Sequence, residues 1–101
     1  MKIIHPKKSD ARVLLAVLMA TRSRRPADRT HIREVGYEII RTHIPNRELD
    51  SGLQRLVDCG LLDKMNDGYV PTGEARQIHQ VAARYGTFKK RLASVWRDIN
   101  I

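Results

Sequence analysis

Arginine and lysine side chains are the groups in this 101-residue sequence whose number and spacing suggest a binding chemistry. The chain has 19 of them against 11 aspartates and glutamates, a net charge of +8 and an isoelectric point near 10.3. Guanidinium and ammonium groups bind phosphate oxygens, so a polyanionic partner is expected, with nucleic acid the first candidate. Small ribosomal, chaperone-like and structural proteins can be equally basic, and these classes stay open at this stage.

The charge is unevenly distributed along the chain. Residues 1–34 carry a net charge of +6, residues 35–72 carry −2, and residues 73–101 carry +4. The acidic middle segment counts against a strong phosphate contact there, although Glu48 and Asp50 also suit the positive end of a helix dipole. Affinity for a polyanion would then come from the first segment and from Arg84, Lys89, Lys90 and Arg91.

No pattern for catalysis or metal binding is found. The sequence has no glycine-rich phosphate loop, Ser/His/Asp order or paired carboxylates, so we expect neither an enzyme nor a cofactor. Cys59, the single cysteine, excludes an internal disulfide framework, favours a cytoplasmic setting, and is expected to be a small buried residue rather than a redox sensor. The four histidines share no metal-ligand spacing: His5, His31, His43 and His79.

Membrane insertion is not expected either. The longest apolar run, residues 13–20, is far too short to span a bilayer, and the start "MKIIHPKKSD" has no signal-peptide core.

Three helices are predicted in the first sixty residues. Ser9 and Asp10 are predicted to cap a first helix whose apolar residues cover both sides, so that it needs two packing partners. Thr30 is predicted to cap the second helix, "HIREVGYEIIRTH", and Asn46 the third. The third helix has a buried stripe of Leu49, Leu53, Leu56 and Val57, and Gly60 is placed to end it.

A β-hairpin and a long helix are predicted to follow. The runs "LLDKMN" and "YVPT" are joined through Asp67-Gly68, a dipeptide that favours a tight turn, and Pro71 confines the second strand to an edge or an end. Thr72 is predicted to cap the last helix.

The last helix has apolar residues at alternating steps of three and four, typical of a heptad seam. They are Ile78, Val81, Tyr85, Phe88, Leu92, Val95 and Ile99, flanked by Trp96 as an interface anchor. The pattern favours a homodimeric coiled coil, and the alternative is that the helix folds back on the first helix of its own chain. Both arrangements can hold together, and Gly86-Thr87 predicts a bend.

The segment "LQRLVDCGLLDK…DGYVPTGEAR" resembles the recognition-helix end and wing of the winged helix-turn-helix superfamily. The matching residues are Leu53, Leu56, Gly60, Leu61, Leu62, Gly68, Tyr69, Thr72 and Gly73. The resemblance implies a mainly α fold with a small β-hairpin wing: a DNA-binding domain over residues 1–74 and a C-terminal dimerisation helix over 75–101. This order of parts is similar to that of PadR-type repressors and of small archaeal winged-helix chromatin proteins.

By position, the resemblance assigns contacts with double-stranded DNA to three groups of residues. A basic belt for phosphates comprises Arg22, Arg24, Arg25, Arg29 and Arg33, which His31 could join. The outward face of the third helix carries Asn46, Arg47, Asp50, Ser51, Gln54 and Arg55, with Gln54 suited to adenine, the two arginines to guanine and Asp50 to a cytosine amino group. The wing adds Lys64 and Asn66.

The function implied is a cytoplasmic, dimeric transcriptional regulator without a cofactor or a membrane partner. The alternative is a winged helix used for protein interaction, or as an architectural element, in a replication, chromosome or phage assembly. The acidic third helix is the reason for this alternative.

Overall fold

The computed structural model describes residues 7–21, 25–38, 41, 43–86 and 88–99. It contains five helices and two strands over these ranges: α1 (Lys8–Ala20), α2 (Arg29–Glu38), α3 (Asn46–Asp58), β1 (Leu62–Met65), β2 (Gly68–Pro71), α4 (Gly73–Ala82) and α5 (Phe88–Ile99). The prediction of a mainly α chain with a small antiparallel hairpin is therefore confirmed.

Helix α1 is the centre of the core, and its two-sided burial is confirmed. Val13, Leu14, Leu15 and Val17 are fully buried, because α2 and α3 pack against α1 and α5 covers it as well. The predicted caps of the first two helices are wrong. Helix α1 follows Lys7, whose backbone N–H donates to Asp10 Oδ2 at 2.7 Å.

Helix α2 begins one residue before Thr30. Asp28 Oδ1 accepts a hydrogen bond from the backbone N–H of His31 at 2.8 Å, so Asp28 performs the capping that was predicted for Thr30. The helix ends at Glu38. Ile39 and Ile40 lie outside the described residues, but Arg41, with φ +60°, and His43 are not helical, so the predicted extension of the helix to His43 is wrong.

Helix α3 has the predicted length and buried stripe. Pro45, rather than Asn46, takes the position before the helix, and Asn46 is its first residue. Leu49, Leu53 and Leu56 are buried and Val57 is partly buried. At the other end Gly60 has φ +84°, the Gly60 N–H donates to the Val57 carbonyl, and the Leu61 N–H donates to the Leu56 carbonyl. This pair of bonds is a Schellman motif, and it confirms Gly60 as the terminating residue.

The hairpin pairs Leu62 with Pro71 and Met65 with Gly68. Its two loop residues are Asn66 and Asp67, so the predicted Asp67-Gly68 turn is displaced by one position, and Pro71 stands at the strand end as expected.

An additional bridge, which the sequence analysis missed, joins the α1–α2 connection to this hairpin. Ala27 donates to the Tyr69 carbonyl at 3.1 Å and accepts from the Tyr69 N–H at 2.9 Å.

The last helical pattern forms two helices rather than one long helix. Thr72 caps α4, since its Oγ1 accepts from the Ala75 N–H at 3.4 Å. The chain leaves the helix after Ala82, and α5 turns back along α1 with Val95 fully buried and Ile99 8% exposed. The fold-back alternative therefore describes this part of the chain, and the predicted domain boundary at residue 74 stays a prediction.

Ser94 of α5 gives a first testable prediction. It is 3% exposed, and its Oγ has no hydrogen-bond partner among the described residues. We expect Ser94→Ala to raise the free energy of unfolding by about 1–2 kcal/mol, because it removes a buried unpaired hydroxyl and adds helix propensity. Urea unfolding followed by circular dichroism measures the change. Ser51→Ala on α3 is the control for propensity alone, since Ser51 is only partly buried, and an equal gain in both variants would contradict the explanation.

Candidate nucleic-acid interface

The exposed faces of α2 and α3 are linked by polar contacts near the start of α3. Arg29 Nε lies 2.8 Å from Asp50 Oδ1, and Arg33 Nη1 donates to Asn46 Oδ1 at 2.6 Å. Both side chains of the first pair are about half exposed, at 49% and 54%. An exposed ion pair contributes only about 0–1 kcal/mol, so a phosphate can replace Asp50 as the partner of Arg29 at little cost.

Arg55 does not face outward, so its expected place on the exposed face of α3 is wrong, and its role in reading bases stays a prediction. Its Nε and Nη2 donate to the two carboxylate oxygens of Asp10 at 2.7 and 2.8 Å. The Arg55 side chain is 22% exposed and that of Asp10 is 0% exposed. The hydrogen bonds that Arg55 donates to Asp10 raise the pKa of Arg55 above its ordinary value. This bidentate ion pair holds α3 against α1, and it engages the Arg55 guanidinium within the fold.

Gln54 is exposed, but it is also engaged. Its Nε2 donates to Asp58 Oδ1 at 2.9 Å, one helical turn further along α3. Of the acidic residues on α3, Asp50 is paired with the cation of Arg29, which offsets its charge. Asp58 accepts a hydrogen bond from the neutral amide of Gln54, which leaves its negative charge in place.

The remaining assigned residues divide into two groups. Arg22 and Arg24 lie outside the described residues. Arg25, Arg47, Lys64 and Asn66 are exposed and Ser51 is partly buried. Arg47 and Lys64 have no ion-pair partner in the part of the chain that the structure describes. His31, which could join the belt, is exposed as well.

A cleft of about 340 Å³ lies where α1 and α3 both begin. Its walls are Lys7, Ser9, Pro45, Arg47, Glu48, Ser51 and Arg55. Lys7 and Arg47 supply two cations, Ser9 and Ser51 supply two hydroxyl groups, and the positive ends of two helix dipoles lie close by. Glu48 is the single acid among the described wall residues. The geometry suits an oxyanion such as a backbone phosphate.

Lys7 and Ser9 were not among the residues assigned from sequence. Their signal is the Lys7-Lys8-Ser9 run at the start of α1, in which only Ser9 had a predicted role, as a helix cap. Residues 7–9 and 47–51 are far apart in sequence, so their proximity in the folded chain could not be predicted from it.

Cys59 behaves as a structural residue. It is partly buried at the end of α3, and burial is the main cause that raises the pKa of its thiol. Its Sγ donates weakly to the Leu56 carbonyl at 3.5 Å. The thiol is therefore protonated at neutral pH, which disfavours reactivity.

Among the described residues, no group of three histidine, cysteine or acidic side chains is placed to hold a metal ion. In the same ranges, no helix combines the length and the apolar character needed to cross a membrane.

Comparison with known proteins gives no assignment. The chain matches no protein-family model, no curated protein and no solved structure. The resemblance described above thus stands on the residues that carry it.

Proposed function

We propose that the chain is a cytoplasmic, winged helix-turn-helix DNA-binding protein that regulates transcription. The observation that carries the proposal is the basic cleft at the joint start of α1 and α3, where Lys7 and Arg47 meet the hydroxyls of Ser9 and Ser51. The order of three helices and a hairpin, with Ala27 bridged to β2, agrees with such a fold.

The expected mode of binding follows from the exposure of these groups. Arg47 and Ser51 are one turn apart on α3 and can approach base edges, while Lys7 contacts a phosphate. Lys64 on the hairpin and Arg25 before α2 are exposed and suited to flanking phosphates. Arg29 and Arg33 join them by exchanging their internal partners for phosphate oxygens.

Arg47→Ala tests the proposal most directly. We expect its affinity for duplex DNA to fall about tenfold, because one arginine contact to a base or phosphate contributes about 1–3 kcal/mol. Fluorescence anisotropy with genomic and randomised duplexes at about 50 and 200 mM salt measures the change. Arg76→Ala on α4 is the matched control, since Arg76 is also exposed and lies outside the cleft.

The result of this experiment separates the candidate functions. Sequence-selective binding that survives the higher salt and is weakened by Arg47→Ala supports the regulator. Binding that is indifferent to sequence and steeply salt-dependent indicates an architectural DNA-binding protein. Equal affinities of Arg47→Ala and the wild type for duplex DNA would contradict the proposed role of the cleft in DNA binding.

The second candidate function is a protein-interaction module. The observation that favours it is the exposure of two large apolar side chains, Tyr37 on α2 at 66% and Met65 at the hairpin end at 52%. Tyr37 borders a cleft of about 240 Å³ that it shares with Arg33, Glu34, Glu38 and His43. Absence of DNA binding at either salt concentration would favour this candidate.

Homodimerisation is part of the proposal, but the surface left for it is smaller than the predicted seam. Val95 and Ile99 are buried in the core of their own chain. Val81 is 38% exposed, and Ile78 and Tyr85 are partly buried. The side chain of Phe88 lies outside the described part. We expect Val81→Glu to yield monomers in light scattering, because it places a charge in the remaining apolar patch. Val81 is preferable to Leu92, which packs against the core, and a dimeric Val81→Glu would contradict a dimer through α4.

A further inference from the structure

A groove of about 350 Å³ runs between α1 and α5, away from the basic cleft. Its described walls are Lys8, Ala11, Arg12, Leu92, Ala93 and Trp96. Each helix contributes a pair of long side chains spaced by four residues, so the two pairs lie along the two sides of the groove. The alanines between them leave the space open.

The lining combines an apolar surface with positive charge. Leu92 and Trp96 are partly buried and present hydrocarbon and indole surface, whereas Lys8 and Arg12 bring two cations from α1. No carboxylate belongs to the described walls. The volume lies within the range of small-molecule sites, which are mainly apolar with a few polar groups that fix orientation.

We propose that this groove binds a small amphipathic carboxylate. The hydrocarbon part lies against Leu92 and Trp96, and the carboxylate is held by Lys8 through charge-assisted hydrogen bonds. The inference does not rest on DNA binding, because none of these residues belongs to the proposed interface.

Charge also argues against a second copy of the chain as the occupant. A two-fold contact centred on the groove brings the same patch of both copies together. Lys8 and Arg12 of one copy would then approach those of the other, and like charges disfavour such a contact. An anionic ligand meets the same groups favourably.

Trp96 is the only tryptophan of the chain, so its fluorescence reports occupancy of the groove directly. We expect sodium octanoate to change this emission saturably at pH 7 and low salt. Its neutral analogue 1-octanol should bind about three- to tenfold more weakly, as expected for ion pairs at a partly exposed site.

Two variants locate the binding. Ala93→Leu fills the groove with an added side chain at an exposed position, and we expect it to abolish the saturable change. Lys8→Gln should weaken octanoate about threefold and leave 1-octanol unchanged. Lys64→Gln, which removes an exposed lysine from the hairpin, is the matched control and should bind octanoate as the wild type does.

Three outcomes would overturn the proposal. The first is equal affinities for octanoate and 1-octanol, and the second is undiminished octanoate binding by Ala93→Leu. The third is a Trp96 emission change that depends on protein concentration and is accompanied by a doubled mass, because this would identify a second copy as the occupant. Far-UV circular dichroism verifies the fold of Ala93→Leu. If that variant is unfolded, the relative affinities of the wild type for octanoate and 1-octanol, and the octanoate affinity of Lys8→Gln, still test the proposal.

Discussion

Arg55→Ala is expected to lower the free energy of unfolding by about 3–5 kcal/mol, the cost of removing one partner from a buried ion pair. The Asp10 side chain is 0% exposed, and its carboxylate would lose both guanidinium hydrogen bonds. Only the bond from the Lys7 backbone N–H would remain. Because a domain of this size is stable by about 5–15 kcal/mol, much of its stability would be lost.

Urea unfolding followed by circular dichroism measures this effect. Arg47→Ala is the matched control, since it makes the same substitution in the same helix at an exposed position. We expect the control to change stability by less than about 0.5 kcal/mol. Equal effects of the two substitutions would show that the Asp10–Arg55 pair does not hold α3 to α1.

Replacing both members of the pair identifies the pair as the cause. The variant that combines Asp10→Leu with Arg55→Met replaces both charges with apolar side chains, and we expect it to be more stable than Arg55→Ala because no buried charge is left unpaired. Gly52 sets the space for this repacking: a Cβ on it would meet Asp10 Oδ1 and Val13 Cγ2, each at 3.0 Å. Gly52 therefore allows the close approach of α3 to α1.

The local elements were predictable because their signals lie within a few residues. Leu49, Leu53 and Leu56 recur on one face of α3, Gly60 follows at the position that needs a positive φ, and Thr72 precedes α4 as a cap. Each of these features depends on short-range geometry, and the structure retains each of them.

The larger errors concern contacts between distant parts of the chain, whereas the local errors are caps and a turn misplaced by a few residues. Arg55 is separated from Asp10 by 45 positions, and helical spacing alone places Arg55 beside the exposed face of α3. Its long side chain reaches α1 instead, where the buried Asp10 requires a partner. The candidate site changed for the same reason: Lys7 and Ser9 joined Arg47 and Ser51 only when α1 and α3 were packed together.

The C-terminal seam shows a second limit of periodicity. Steps of three and four describe any helix with one buried face, whether its partner is another copy or the same chain. Val95 and Ile99 meet α1 in their own core, because the chain turns between α4 and α5 and α1 has a second face to cover. The pattern favoured the dimer because it is typical of coiled coils, but it does not identify the partner.

Gly68→Ala is expected to have the second-largest effect on stability, and it acts on the contact between the hairpin and the α1–α2 connection. Gly68 has φ +144°, a region that residues other than glycine rarely adopt. A Cβ there would overlap the Ala27 carbonyl and lie 2.8 Å from the Asp28 nitrogen. These are backbone atoms, which cannot rotate away as a flexible side chain would. We expect a loss of about 2–4 kcal/mol from strain and overpacking together.

Two other glycines separate the two causes. Gly60 has φ +84° with open space around it, and Gly73 has open space without a positive φ. Urea unfolding should therefore rank Gly73→Ala as nearly neutral, Gly60→Ala as destabilised by about 1–2 kcal/mol, and Gly68→Ala as the least stable. Because Asp28 caps α2 next to Ala27, the clash should also weaken the start of α2. If Gly68→Ala proves as stable as Gly60→Ala, backbone conformation alone explains the cost, and the close packing of Ala27 on the hairpin is not a structural requirement.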